Sequence, residues 1–268
     1  TMRSEWEKGA PALTVDYSSP DLRIGVANGA QRIFSGSWSW QTSVDGHALE
    51  PVGGWEEICW FSDEDVDFLE LSVELAGGGQ LDRQILLARD ENFLLLADYV
   101  LAGREGTISH HMQLPLCEEV SFAAERETRD GHLVKSKPLG RILPLALAEW
   151  RTDPRYGELA EVDGSVRLAQ QRQGRNLACP LLIDLNPNRS KKQCTWRQLT
   201  VAQNLEIQPH DVATGYRAQC GKDQWLFYRS LSAATNRSLL GQNLACECLV
   251  ARFLAPSGEI EELLEIEA

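Results

Sequence analysis

The chain has 268 residues, of which 43% are hydrophobic and 24% are charged, a composition typical of a folded globular protein rather than a disordered one. With 26 Lys and Arg residues against 39 Asp and Glu residues, the net charge of −13 disfavours nucleic acid as a partner. No apolar run approaches the roughly 20 residues that a membrane-spanning helix requires, so we expect no membrane partner.

Short strands separated by turns account for most of the sequence. Gly, Asn and Asp turn signals recur about every 8–12 residues, as in β-sandwiches, and no longer segment has a convincing helical period. We therefore expect an all-β fold, a multi-layer antiparallel β-sandwich that forms a single domain over residues 1–268. The strand candidates between the turns are Leu22–Ala27, Gln31–Phe34, Trp38–Val44, Glu57–Trp60, Phe68–Leu75, Thr107–Leu114, Ser165–Gln171, Cys194–Val201, Thr214–Gln219 and Gln224–Ser230.

The segment Ile85–Ala97 contains two nearly continuous apolar strands, separated by a short polar break at 89–92. A connection this short makes a β-hairpin, so the two strands pair antiparallel. Antiparallel strands with one wet face alternate apolar and polar residues, and these two do not alternate. Both faces of the hairpin must therefore be covered, which predicts that it lies in the middle layer of a stack of sheets.

The second half of the chain offers two further organisational signals. Prolines and turn residues between Gly140 and Pro154 predict a boundary between two halves, without a low-complexity linker. Glu259–Glu267 has apolar residues at helical spacing, but the Pro-Ser-Gly turn before it favours a final strand. The first residues lack the layout of a secretion signal. They also resemble the middle of a sequence, so we expect a fragment or one processed domain of a longer protein.

Seven cysteines form no C-x-x-C pair and no regular framework. We expect all of them to be reduced and to act as small core residues, which favours a cytoplasmic location. Cys246 and Cys248 would share one face of a strand, but no nearby spacing supplies the two further ligands that zinc needs. We accordingly predict no metal site and no cofactor.

His110, His111 and Arg83 are the candidates for catalysis. Imidazole suits proton transfer near neutral pH, but adjacent residues on a strand face opposite sides, so at most one histidine serves a site. Counting outward from the 90–92 turn places Arg83 opposite Asp98, which predicts a cross-strand ion pair. Arg83 could grip a sugar carboxylate, or the pair could simply fix the register of the buried hairpin; we favour the second interpretation.

Four tryptophans, Trp38, Trp40, Trp55 and Trp60, are the candidate ligand-binding residues. Aromatic rings pack against the apolar faces of pyranose rings, while polar groups nearby bind the hydroxyls. Acidic residues at 56–57 and 63–67 could accept such hydrogen bonds, although their spacing is not that of an EF-hand calcium loop. The alternative is that the tryptophans only fill the interfaces between sheets.

Three segments, Asp82–Leu87, Phe93–Asp98 and His110–Leu114, resemble the C-terminal β-sandwich of the heparinase II/III-like family, in which Arg-led, Asp-ended and His-bearing strands follow one another. The later segments Thr195–Ala202 and Gln224–Leu231 are similar to uncharacterised bacterial proteins of planctomycete type. The resemblance implies a supersandwich, as in polysaccharide lyases and galactose mutarotase-like domains, with carbohydrate as the partner. Lyases of the family place the catalytic Tyr and part of a His/Asn set in a helical toroid, which this sequence lacks, as it lacks any His-x-His element.

Three hypotheses for function follow. The leading one is a carbohydrate-related β-sandwich module that binds a poly- or oligosaccharide and is non-catalytic on its own. The second is part of a heparinase II/III-like polysaccharide lyase whose catalytic helical domain is missing. The third is a structural or oligomerisation module, whose oligomeric state the sequence leaves open.

Overall fold

The computed structural model describes residues 1–5, 10–255 and 257–267, and these residues form β-strands, turns and loops without any helix. Among them there is accordingly no helix that could cross a membrane. The strands form four antiparallel sheets, which confirms the expected all-β class.

The first sheet comes from the start of the chain and has the order β1-β2-β3-β4. Each strand pairs with its neighbour in sequence, so the sheet is a simple meander. Its strands are β1 (Met2–Arg3), β2 (Ala12–Asp16), β3 (Arg23–Asn28) and β4 (Gln31–Ser37).

The second sheet has eleven strands and the order β11-β12-β13-β15-β10-β9-β8-β7, with β14 beside β15 and β5 between β10 and β6. Its longest strand, β10, pairs with β15 along nearly its whole length, with β9 in its first half and with β5 in its second half. The strands are β5 (Ser39–Val44), β6 (His47–Ala48), β7 (Pro51–Ser62), β8 (Val66–Leu75), β9 (Gly79–Ala88), β10 (Phe93–Pro115), β11 (Ser121–Ala124), β12 (Gly131–Val134), β13 (Pro138–Pro144), β14 (Gly157–Val162) and β15 (Ser165–Asp184).

The last third of the chain forms the other two sheets. The third sheet has the order β16-β19-β20-β23-β24, and the small fourth sheet has the order β18-β17-β21-β22. Their strands are β16 (Cys194–Leu199), β17 (Val201–Gln203), β18 (Glu206–Ile207), β19 (Ala213–Cys220), β20 (Asp223–Ser230), β21 (Arg237–Leu239), β22 (Gln242–Leu244), β23 (Cys248–Leu254) and β24 (Glu259–Ile266). The prediction of a final strand rather than a helix is therefore confirmed.

Two apolar clusters show that the second sheet is the middle layer. Ile85 and Leu94 on one face pack in a cluster with residues of the first sheet, such as Ile24. Leu86 and Phe93, which point the other way, pack in a cluster with residues of the third sheet. The Phe93 ring lies edge-on to Trp225, with centroids 5.4 Å apart. The hairpin of β9 and β10 is thus covered on both faces, as its unbroken apolar sequence predicts.

A glycine allows β10 to bend halfway along its length. The pairing of β10 with β15 shifts register between Leu101 and Gly106. Gly103, in this break, has φ 71°, and a Cβ at that position would lie 2.9 Å from the carbonyl oxygen of Gly78. Another residue would therefore be strained and crowded here, so glycine lets the strand turn from β9 towards β5.

The expected boundary between Gly140 and Pro154 is wrong. β13 and β15, which flank most of this segment, are directly paired in the middle sheet, with Ile142 opposite Ile183. The chain moves to the third sheet only after Asp184. Turn-forming residues inside a sheet gave the misleading signal, because hairpins within one layer need the same residue types as a connection between layers.

The expectation that all cysteines are reduced is also wrong. Cys194 and Cys220 lie directly opposite each other on β16 and β19, with Cα atoms 4.1 Å apart, and they form a disulfide. Cys246 precedes β23 and packs in a different cluster from Cys248, so these two do not form a joint site. The argument from reduced cysteines consequently no longer supports a cytoplasmic location.

Candidate functional site

Three of the four candidate tryptophans line one cavity of about 610 Å³, here called the tryptophan pocket. Trp38 lies at the junction of β4 and β5, Trp40 lies on β5 and Trp55 lies on β7. Trp38 is only 1% exposed, whereas the other two are half-buried. The pocket therefore has a buried tryptophan at its base and two accessible ones beside it.

Contacts between rings hold Trp40 in place. It packs edge-on against Trp55, with centroids 6.4 Å apart and planes at 74°. It also stacks on His110, with centroids 6.5 Å apart and planes at 22°. Both arrangements are favoured for aromatic rings. The pocket thus presents aromatic surfaces whose orientation is fixed before any ligand arrives.

Beneath the pocket lies the ion pair that the sequence predicts. Arg83 and Asp98 are partners across β9 and β10. Nε and Nη2 of Arg83 each donate to a different carboxylate oxygen of Asp98, both at 2.7 Å, and Nη1 donates to the carbonyl of Trp38 at 3.0 Å. The guanidinium carbon lies 3.8 Å from the centre of the Trp38 ring. Arg83 is fully buried under the tryptophans and does not line the pocket.

His110 completes this buried network. Its Nε2 lies 3.1 Å from Asp98, and because a carboxylate only accepts, the imidazole donates this bond. Its Nδ1 lies 2.7 Å from the hydroxyl oxygen of Thr42. Burial alone would raise the pKa of Asp98, but the charge and hydrogen bonds of Arg83, with those of His110, outweigh it and lower the pKa to about 2. Asp98 is therefore a permanent anion that fixes both of its partners.

His111 lies on the other side of β10 from His110, as expected for neighbours on a strand. It is half-buried and lines the tryptophan pocket, whereas His110 is buried. Burial lowers the pKa of His111, and the charges of His110 and Arg167 lower it further. Of the three catalytic candidates, the structure brings only His111 to the surface of the pocket.

Trp60 lies outside the tryptophan pocket. It is 47% exposed on β7 and borders a separate cavity of about 440 Å³, together with Tyr17 and Glu57. The Tyr17 hydroxyl donates a hydrogen bond to Glu57. The structure therefore joins three of the predicted tryptophans and separates the fourth.

The acidic residues in the pocket are not the ones that the sequence singled out. Asp63 accepts hydrogen bonds from the backbone N–H groups of its own loop, and Asp67 pairs with Arg89 at 2.7 Å. Asp21 and Glu50, which are both exposed, line the pocket instead. Neither belongs to an acidic run, so only the three-dimensional fold reveals them.

One group of potential metal ligands occurs in the described part of the chain: Asp184, Cys194 and Cys220. The two sulfur atoms are bonded to each other, and Arg189 donates to both oxygens of Asp184 at 3.0 and 2.7 Å. A thiol must be deprotonated and free to bind a metal. In the structure the group therefore consists of a disulfide between β16 and β19 and an ion pair between the end of β15 and the loop that follows it.

Comparison with known proteins gives a likeness at the level of structure. No protein-family model matches the sequence, and no curated protein matches it. Heparan sulfate lyase HepC from Pedobacter heparinus superimposes with a TM-score of 0.59 at 11% identity, over 86% of this chain and 41% of the lyase. The chain has a heparinase-like fold. Heparinase III gives a TM-score of 0.55 at 9% identity, over 86% of this chain and 41% of that enzyme.

The coverage and the sequence identity limit what this comparison shows. The chain spans about two fifths of the length of the solved structures that it matches. At 9% to 12% identity the likeness concerns the fold, which agrees with the expected multi-layer sandwich. The narrower resemblances, to the heparinase II/III-like family itself and to planctomycete-type proteins, stay predictions.

Proposed function

We propose that this chain is a carbohydrate-binding β-sandwich module, non-catalytic on its own, which holds an oligosaccharide in the tryptophan pocket. The observation that carries the proposal is the convergence of Trp38, Trp40 and Trp55 with polar groups in one cavity of about 610 Å³. A cavity of this size lies in the usual range for small-molecule sites.

The chemistry of the lining suits a sugar. The C–H faces of a pyranose ring pack on the half-buried rings of Trp40 and Trp55. Hydroxyl groups of the sugar can donate to Asp21 and Glu50, and further polar partners come from the exposed side of β5, where Gln41 also lines the pocket. Apolar faces and hydroxyls of one ligand would thus each meet a suitable surface.

The rigidity of the site also favours binding. Trp40 is stacked on His110, and His110 is held by Asp98 and Thr42 through its two ring nitrogens. A side chain that is already fixed loses little conformational entropy when a ligand binds, so more of the contact energy appears as affinity. We regard the buried network as the support of the aromatic platform.

The placement of the catalytic candidates supports a module without activity of its own. Arg83 and His110 are buried beneath the tryptophans and engage Asp98, not the pocket. A catalytic group must reach the reacting atoms directly or through one water molecule. In addition, the structurally similar proteins are lyases, and this chain covers less than half of their length.

Binding of soluble oligosaccharides, measured by calorimetry after a glycan-array screen, tests the proposal. Trp40→Ala should weaken binding about tenfold or more, because it removes one of the two accessible stacking surfaces. Trp150→Ala is the matched control, since Trp150 is 51% exposed but does not line the pocket. An array profile that Trp40→Ala leaves unchanged would contradict the choice of site.

A second candidate function, part of a polysaccharide lyase, has one observation in its favour. His111 lines the pocket with a lowered pKa, so it is a neutral imidazole that can accept a proton near neutral pH. The test uses the complete product of the gene and measures unsaturated sugar ends released from uronic-acid polysaccharides. Release that His111→Gln abolishes while binding persists would support a lyase, and no release from any polysaccharide would contradict it.

The third candidate, an assembly module, rests on the edge strand β7. Val52, Ile58 and Phe61 on this strand are all at least 40% exposed, as is Trp60. A long apolar edge strand tends to pair with another chain. Native mass measurement tests this role, and a strictly monomeric species would contradict it.

A further inference from the structure

We infer that the saccharide bound in the tryptophan pocket carries no negative charge and is a neutral or amino-bearing sugar, not a sulfated or uronic-acid one. This inference rests on the proposed function and specifies the class of ligand. It comes from the distribution of charge around the pocket, which differs from what recognition of an anionic glycan requires.

The first observation is a long stretch of sequence without any basic side chain. From Ile33 to Asp82, fifty residues contain no Lys or Arg but eleven Asp and Glu residues. This stretch contributes most of the residues that line the pocket. Among all the described residues that line it, none is Lys or Arg, while Asp21 and Glu50 are acidic.

The second observation is that two of the cations near the pocket, Arg83 and Arg23, already have partners. Arg83 lies under the Trp38 ring and donates to both oxygens of Asp98. Arg23 pairs with Asp21, one of the two pocket acids, at 3.7 Å. The guanidinium of Arg83 is completely buried, so it cannot reach a ligand without leaving Asp98 as an unpaired buried anion.

His111 does not supply the missing positive charge either. Burial is the main cause of its lowered pKa, so the imidazole is neutral at pH 7. A neutral imidazole exchanges hydrogen bonds with hydroxyl groups but does not neutralise a carboxylate. The lining of the pocket therefore offers aromatic surface, hydroxyl partners and negative charge.

Recognition of carboxylate or sulfate in proteins relies on Arg and Lys side chains, which this lining lacks. An anionic ligand would instead meet Asp21 and Glu50, whose like charges repel it, most strongly at low salt and less at Asp21, where Arg23 offsets part of the charge. A sugar hydroxyl can donate to the same carboxylates, and the ammonium group of an amino sugar can pair with them. The pocket therefore disfavours anionic glycans and can bind neutral sugars and amino sugars.

The experiment measures calorimetric affinities of the chain for four hexasaccharide probes at low and high salt. They are a cello-oligosaccharide, a chitosan oligosaccharide, an oligogalacturonate and a heparan sulfate oligosaccharide. We expect Trp40-dependent binding of the neutral or the amino probe, at least about tenfold tighter than binding of either anionic probe. Glu50→Lys should reduce this difference in affinity by about tenfold. Glu127→Lys makes an equal charge change at an exposed residue outside the pocket and should leave the difference unchanged.

The outcomes separate this inference from the proposed function. If Trp40→Ala changes the affinity of no probe, the proposed function fails, and the inference fails with it. If Trp40-dependent binding is found and the oligogalacturonate or the heparan sulfate probe is bound most tightly, the function stands and this inference alone is overturned. An unchanged preference in Glu50→Lys would equally contradict the role of pocket charge.

Discussion

Two buried ion pairs lie on opposite faces of the middle sheet, and they are built differently. Arg83 and Asp98 lie within that sheet and face the tryptophan pocket, both fully buried. Glu70 on β8 faces the other way and pairs with Arg229 on β20 of the third sheet, at 2.6 Å. The first pair stiffens one layer under a candidate site, whereas the second joins two layers.

The two carboxyl groups respond to burial in opposite ways. Burial is the largest influence on each, and for Asp98 it is outweighed by Arg83 and His110, so its pKa falls to about 2. For Glu70 burial prevails over the charge of Arg229 and the hydrogen bond from Gln84, so its pKa is raised. Asp82, a second acid near Glu70, adds to the rise. Each carboxylate accepts three hydrogen bonds, so the difference comes from the neighbouring anion Asp82, which Asp98 lacks.

The largest expected effect comes from breaking the pocket-side pair. Arg83→Met should lower the free energy of unfolding by about 3 to 5 kcal/mol, because it leaves Asp98 buried without its counterion. Urea titration followed by circular dichroism measures the loss. Arg229→Met is the matched control and should cost less, since Glu70 already holds its proton more readily. An equal or larger loss in the control would mean that the two pairs do not differ as described.

The disulfide gives the next largest effect and concerns the third sheet only. Replacing both Cys194 and Cys220 by Ala should lower stability by about 3 kcal/mol, from the loop entropy that the bond removes from the unfolded chain. Saccharide binding at the tryptophan pocket should persist under conditions in which the variant is folded. Loss of stability and binding together in the folded variant would show that the two regions are coupled.

The dependence of the free energy of unfolding on pH between 4 and 2 reports on the ionisation of Asp98. Its pKa falls from 3.8 to about 2 on folding, so its stabilising effect is complete above pH 4 and is lost as the pH falls towards 2. Wild type should lose about 2 kcal/mol over this interval from this group. The double variant Arg83→Met/Asp98→Leu, which leaves no unpaired charge, should lack that contribution. A wild-type acid limb that matches the variant's would contradict the lowered pKa.

Glu70 gives the smallest effect, with the opposite sign. A raised pKa means that the folded state binds more protons than the unfolded state, so stability from this group falls as the pH rises above 4.5. The variant Glu70→Leu/Arg229→Met should remove this fall. The same titrations at pH 4.5 to 7 detect it, and a fall in the variant as steep as that in wild type would refute the assignment.

The sequence alone predicted the structure correctly wherever the spacing of residues along the chain determines the geometry. The partnership of Arg83 with Asp98 follows from counting outward from a short turn, because a tight hairpin fixes its own register. The burial of both hairpin faces follows from the absence of alternation. These predictions concern residues that are close along the chain or share one strand.

Features that depend on distant segments escaped prediction. The Cys194–Cys220 bond joins strands that are neighbours in the third sheet but not consecutive in the chain. Asp21 reaches the pocket from a loop between two strands of the first sheet. Trp60 is separated from Trp55 along β7. Trp60 lies opposite Leu69 and borders the second cavity with it, whereas the tryptophan pocket is lined by Val73, four residues further along β8.

The long partnership of β10 with β15 has a consequence for how the molecule is made. Leu94 pairs with Ile183, so one edge of the longest strand stays bare until synthesis has passed Asp184. Closing such a distant contact is slow compared with forming a hairpin, and an open strand edge invites aggregation in the meantime. A nascent chain that stalls before residue 165 would carry a 23-residue strand without its principal neighbour, and we expect it to need a chaperone.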